Sequence, residues 1–152
     1  MKRISLWISA GLIIAATAGA VAAADMASVI HARQAHYKEI GKATKGLSEA
    51  LNSPSPQLPA IQAYARQIDQ LAPQIPSWFP AGSGPEAGVK TGAKPDIWAK
   101  SAEFKAAAAA FTTEAHRLDQ VAAAGDLNAV RAEFPALGKA CKTCHESFRQ
   151  KD

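Results

Sequence analysis

Apolar side chains recur at intervals of three, four and seven through four stretches of this chain, a spacing that belongs to helices. Ile30, Tyr37, Ile40, Leu47 and Leu51 form a stripe in the first stretch, from about Ala27 to Leu51. Ile61, Ala65, Ile68, Ala72 and Ile75 form the second, starting near Pro59, where proline suits a first helical turn. Ile97, Phe104, Ala108, Phe111, Ala115, Leu118 and Ala122 mark the third, from about Pro95 to Ala124, with Gly125 as its C-terminal stop. Leu127, Val130, Phe134, Leu137, Cys141, Cys144 and Phe148 mark the fourth, from the N-cap candidate Asp126 to about Arg149. Strand formers are scarce. The fold expected is all-α, an antiparallel four-helix bundle.

Prolines punctuate the pattern. Pro54-Ser55-Pro56 ends the first helix, because proline disfavours a helical residue before it. Pro73 and Pro76 fray or end the second. Pro135 lies inside the fourth, where a kink or a fresh helix start is expected. Residues 77–94 hold Trp78-Phe79-Pro80 and glycines at 82, 84, 88 and 92, so they read as a long loop whose aromatics tuck back onto the core. A loop of that length inside a small domain is uncommon and calls for a role.

The first 24 residues stand apart. Lys2 and Arg3 precede an apolar run from Ile4 to Val21, which ends in Ala22-Ala23-Ala24 before Asp25. That is the layout of a secretory signal peptide, with cleavage expected after Ala24. A membrane anchor is the competing reading, since roughly 20 apolar residues are enough to span. The domain then covers residues 25–152. Without the 24-residue leader, 128 of the 152 residues remain, with 15 of the 17 Lys and Arg and all 13 acids, a net charge of +2. So mild a charge does not argue for nucleic acid as partner. After cleavage no segment is left to hold the chain in a membrane, and the expected compartment is the periplasm.

Chemistry concentrates in Cys141-Lys142-Thr143-Cys144-His145. Residues three apart on a helix share a face, so both sulfurs reach one flat ligand and can form thioethers with the two vinyl groups of haem. His145 follows directly and can turn its imidazole to the iron. This spacing reads as c-type haem attachment. A redox Cys-x-x-Cys pair favours a βαβ setting, absent here, and a structural zinc site wants four ligands where this chain offers no second cluster. An exported chain with only these two cysteines and an aromatic-lined helical core favours one covalent haem c.

Seven residues follow His145. A haem motif there, on the last helix of a four-helix bundle, resembles the class II cytochromes c, the cytochrome c′ family. The resemblance spans essentially the whole chain after the leader. It includes Arg33-Gln34, Trp78-Phe79-Pro80-Ala81-Gly82-Ser83-Gly84, Lys94-Pro95-Asp96-Ile97-Trp98, the haem motif and Phe148-Arg149. It implies that Arg33 and Gln34 lie by the haem propionates, which would explain a charged residue on a core stripe. An Arg33 snorkelling outward is the plainer alternative. It also implies that Tyr37, one turn after Arg33, faces the distal side of the haem. Arg149, four residues beyond His145, would tune the proximal imidazole, or else serve as a solvated charge on the helix dipole.

No methionine stands on the distal stripe. Met26 lies eleven residues, about three turns, before Tyr37 and near the end of the stretch, and His36 points about 100 degrees away from Tyr37. His31 and His116 read as surface or partly buried residues, and Trp78 and Trp98 as packing. His145 is therefore expected to be the one protein ligand of the iron. The resulting expectation is single-electron transfer, binding of NO or CO at an open distal site, or both, with the redox partner unspecified. A six-coordinate, low-spin electron carrier of the same fold is the alternative. A peroxidase-like enzyme would need a distal acid-base group, for which Tyr37 is a poor candidate. A haem-free metal-storage bundle would need Glu-x-x-His pairs, which the chain lacks. The family resemblance also implies a homodimer through the first two helices.

Overall fold

The computed structural model describes residues 17–150. The first 16 residues, and with them most of the expected leader, lie outside the described residues. Five α-helices follow in order: α1 (Thr17–Leu51), α2 (Leu58–Leu71), α3 (Asp96–Ala99), α4 (Ser101–Ala123) and α5 (Leu127–Phe148). The four long ones form the bundle. Among the described residues the one piece of β pairing is an isolated antiparallel bridge between Ala93 and Arg149. None of the described helices is long and apolar enough to cross a membrane.

The stripes read from the sequence are the faces that are buried. Ile40, Ala43, Leu47 and Leu51 from α1 meet Ile61, Ala65 and Ile68 from α2, Phe104, Ala108, Phe111, Ala115 and Leu118 from α4, and Val130, Leu137 and Phe148 from α5, and Ile30 is buried as well. Each large aliphatic side chain so buried contributes about 1.5–3 kcal/mol. Alanines thin the layer where α2 and α4 cross. At Gly46 an added Cβ would lie 2.5 Å from Tyr64 Cζ, so glycine there lets the Tyr64 ring of α2 rest directly on the α1 backbone.

Three element ends differ from expectation. The α1 helix begins ten residues earlier, through the Ala-rich segment before Asp25, as the helix propensity of alanine allows. The third stretch is two helices. Lys100, at φ −117° and ψ 47°, breaks it, because the α3 turn is aimed at the loop: Trp98 Nε1 donates to Phe79 O (3.2 Å) and Pro80 O (3.1 Å). Finally, α5 continues through Pro135 instead of restarting there. Pro135 is exposed, so the carbonyl it leaves without an N–H partner can be hydrated. Other ends follow expectation. Asp126 caps α5, its Oδ1 accepting from Asn128 N (2.9 Å) and Ala129 N (3.0 Å). Beyond α2 the chain tightens into a 3-10 turn, Ala72–Trp78, at its prolines.

The packing is uneven in a way that positions the site. The α4 helix lies along α5 and α1 along α2, whereas among the described residues α1 and α5 make almost no close backbone approach. Their far ends are tied, since Arg131 Nη2 donates to Leu51 O at 3.1 Å. Toward the C-terminal end of α5, it is the loop between α2 and α3 that bridges them.

Candidate functional site

The cysteine motif occupies the last two turns of α5. Cys141 and Cys144 are free thiols, partly buried and packed against the core. Burial pushes both thiols above their ordinary range, and Cys144 adds to the rise at Cys141. They are therefore neutral, inward-facing sulfurs on one helical face. His145 adjoins them and is exposed on its outer side. Burial of its ring, then the charge of Arg149, lowers its proton affinity, which keeps the imidazole neutral and a nitrogen lone pair free to ligate.

What holds this end of α5 is a short backbone splice absent from any helical pattern. Lys94 N donates to Phe148 O (3.0 Å) and Gln150 N to Gly92 O (2.8 Å), so residues 92–94 pair with the chain leaving the helix. Lys94 Nζ also donates to Glu146 O at 2.8 Å. Arg149 sits at the splice, its N–H donating to His145 O at 3.0 Å.

Across from the motif, α1 presents Arg33, Gln34 and Tyr37. Arg33 is 3% exposed, which rules out the snorkelling alternative. Its guanidinium is caught by the loop: Nη1 donates to Ser83 Oγ (2.9 Å) and Trp78 O (3.3 Å), and Nη2 to Ser83 O (2.9 Å) and Thr91 Oγ1 (3.0 Å). It also lies 4.4 Å from the centroid of the Phe79 ring, a cation–π contact. These four acceptors are all uncharged. Burial lowers the pKa of Arg33, the sign of a charge taken from water with too little returned. Gln34 Nε2 donates to Lys90 O (2.9 Å) on the same loop.

The loop geometry that delivers Ser83 is local. Ser83 N donates to Pro80 O at 3.2 Å, and Gly82 has φ 82°, the left-handed backbone that the third residue of such a turn requires. Ser83 is thereby turned inward and fully buried, its hydroxyl also donating to Pro80 O at 2.8 Å.

Tyr37 is partly buried against Trp78 (5.4 Å, edge-on) and Phe79 (6.2 Å). Burial pushes its phenol far up; Cys144 and Cys141 add to the rise and Arg33 opposes it. Tyr37 is therefore within electrostatic reach of both cysteines, although they lie on the far helix. Its neighbour His36 is turned aside and stacked on Trp78 at 4.8 Å. Phe79 continues inward to Phe104 (4.9 Å) and Trp98 (6.2 Å), and Phe104 to Phe148 (5.4 Å), so aromatic rings line one path from α1 to α5. His31 is exposed, and His116 pairs with Asp69 at 3.4 Å on the α2–α4 surface.

Haem asks for two thiols on one face, an imidazole beside them, apolar and aromatic walls, and cationic groups for two carboxylates. The residues present fit. The thiols are inward and neutral, the walls are aromatic, and a buried guanidinium faces only neutral acceptors. A helical bundle with Cys-x-x-Cys-His on its last helix is a c-type cytochrome. Comparison with known proteins narrows the class. The model of the family described as Cytochrome C' matches residues 28–149. The chain is 36% identical over 119 residues to a cytochrome c′ of Pararhodospirillum photometricum, covering 78% of this chain and 93% of that one. Solved structures agree. A cytochrome c′ with ligand-controlled dimer dissociation superposes with a TM-score of 0.76 at 29% identity, covering 83% and 97% of the two chains. The nitric oxide complex of an Alcaligenes xylosoxidans cytochrome c′ variant does so at 0.75 and 26%, covering 84% and 97%. The chain belongs to the cytochrome c′ family, and its cofactor is haem c.

Ser83, Thr91 and the 92–94 splice were not among the residues singled out from sequence as site residues. The signal that could have raised Ser83 is the Pro-Ala-Gly-Ser turn, which points the residue after glycine back toward the core.

Proposed function

We propose that Cys141 and Cys144 would hold the haem through thioethers, that His145 would ligate its iron, and that Tyr37 would act as a lid over the site. The observation that carries this reading is that Tyr37 from α1 and Cys141 and Cys144 from α5 are all partly buried against the same core. The bound haem supplies one-electron chemistry and a site for small neutral gases. The chain's residues decide which guests enter. Tyr37 is a neutral phenol, a weak ligand, and its ring is an apolar lid that NO or CO displaces while bulkier molecules are excluded. Arg33, buried without a carboxylate among its contacts, contributes the charge that a propionate pairs with, and Gln34 adds an amide beside it. Arg149 tunes His145 from the splice.

The rest of the reading follows from these roles. The chain is an electron carrier and gas-binding protein and not an enzyme. Residues 1–24 are cleaved on export, residues 25–152 work in the periplasm, and two copies pair through α1 and α2. The test is spectroscopic. The ferrous protein should lack the sharp α and β bands of a low-spin c-type haem, and Tyr37→Ala should raise CO affinity. Tyr37→Met is expected to bring in low-spin bands. A low-spin spectrum from the unaltered protein would overturn the open distal site, with His36 the first ligand to suspect and Met26 the second.

A further inference from the structure

We infer that Ser83 and Thr91 form a latch that positions the distal lid and thereby sets how readily a small ligand enters. Five contacts carry the inference. The two hydroxyls hold Arg33 at 2.9 and 3.0 Å, and Arg33 in turn lies 4.4 Å over Phe79. The Phe79 ring meets Tyr37 at 6.2 Å and is backed by Phe104 at 4.9 Å. The lid is therefore clamped from behind through a run of polar and ring contacts, and its first links sit 50 and 58 residues along the chain from Arg33. The clamp is stiffest where Arg33 meets Ser83: Ser83 is 0% exposed and Arg33 3%, so a partner lost there is not replaced by water, while Thr91 is half-buried. The hydroxyl of Ser83 is doubly used, accepting from Arg33 and donating to Pro80 O, which leaves it a single orientation. Ser83 and Thr91 act only through Arg33 and Phe79, and so are positioning residues.

Loosening the latch lets Phe79 retreat and Tyr37 swing away at lower cost. The consequence is directional: ligand affinity rises when a latch hydroxyl is removed. A hydrogen bond to a charged group lost from a buried site corresponds to roughly a tenfold change in an equilibrium. Part of that falls on the loop itself, so about a three- to tenfold gain in CO affinity is expected.

The inference rests on the reading of Tyr37 as distal lid, and the experiment separates the two. Ser83→Ala, Thr91→Val and Thr91→Ser are made in the full haem-loaded protein. For each, CO affinity, the C–O stretching band and the near-ultraviolet circular dichroism of the aromatic cluster are measured beside the melting temperature. Ser83→Ala and Thr91→Val should raise CO affinity, shift the C–O band and weaken the aromatic signal. Thr91→Ser, which keeps the hydroxyl, should restore all three. If Ser83→Ala fails to fold, the Thr91 pair decides alone. A lower melting temperature with unchanged CO affinity, C–O band and aromatic signal would overturn the latch and leave a loop anchor. A Tyr37→Ala control without effect on CO affinity would sink the lid reading instead, and with it the claim that the latch governs ligand entry.

Discussion

Arg33 shows how much a single residue can disclose and where that stops. A charge on an apolar stripe is visible in the sequence as an anomaly that needs a reason. Part of that reason, its bonds to Ser83 and Thr91, was not legible, because no periodicity links residues 50 and 58 positions apart. Removing the guanidinium strands buried acceptors, at a cost of about 1–3 kcal/mol for each one left unsatisfied. Arg33→Leu is therefore expected to lower stability by a few kcal/mol in urea unfolding. It should also lower the haem reduction potential, since a nearby positive charge favours the reduced, less positive iron. Unchanged potential and unchanged stability together would refute the assigned role. The cysteine motif and His145 were legible for the opposite reason: their chemistry depends on spacing within one helical turn, which sequence states outright.

At the scale of elements, periodic stripes located the helices well and their ends less so. The break at Lys100 and the uninterrupted run through Pro135 are set by tertiary contacts and exposure, the first by Trp98 reaching the loop carbonyls. The Asp126 cap was legible because capping is local chemistry. Asp126→Ala should destabilise the protein by about 1 kcal/mol, measured by urea unfolding. No loss would mean that the first turn of α5 is held by packing alone. Between α4 and α5, Glu114 and Glu133 face each other, each with one buried oxygen left without another partner. A hydrogen bond donated by protonated Glu133 to Glu114, then burial and the charge of Glu114, raise the pKa of Glu133, with Arg117 opposing. The folded state thus holds this proton more tightly than the unfolded chain does. Its stabilising contribution is complete at low pH and declines as pH rises from about 4.5 through the raised folded value. Glu133→Gln should flatten that decline in melting temperature as pH rises above about 4.5, and a slope identical to that of the unaltered protein would contradict the shared proton.

The whole molecule is a bundle whose long loop closes one end, while at the other α1 and α5 are tied by the Arg131 bond to Leu51 O. Four stripes with short connections at two junctions made the bundle legible before any coordinates. The loop's path was not, since it follows from side-chain hydrogen bonds to Arg33 and from the 92–94 splice, neither of which leaves a pattern in hydropathy. The assembled account turns on one covalent haem at Cys141 and Cys144. Protein recovered from an export-competent host with cytochrome c assembly machinery decides it. Intact mass is measured before and after acid–acetone extraction, with a Cys141→Ser, Cys144→Ser double variant alongside. The expected result is the mass of residues 25–152 plus one haem, unchanged by extraction, with haem lost only from the double variant. Haem that extracts completely from the unaltered chain would contradict the account.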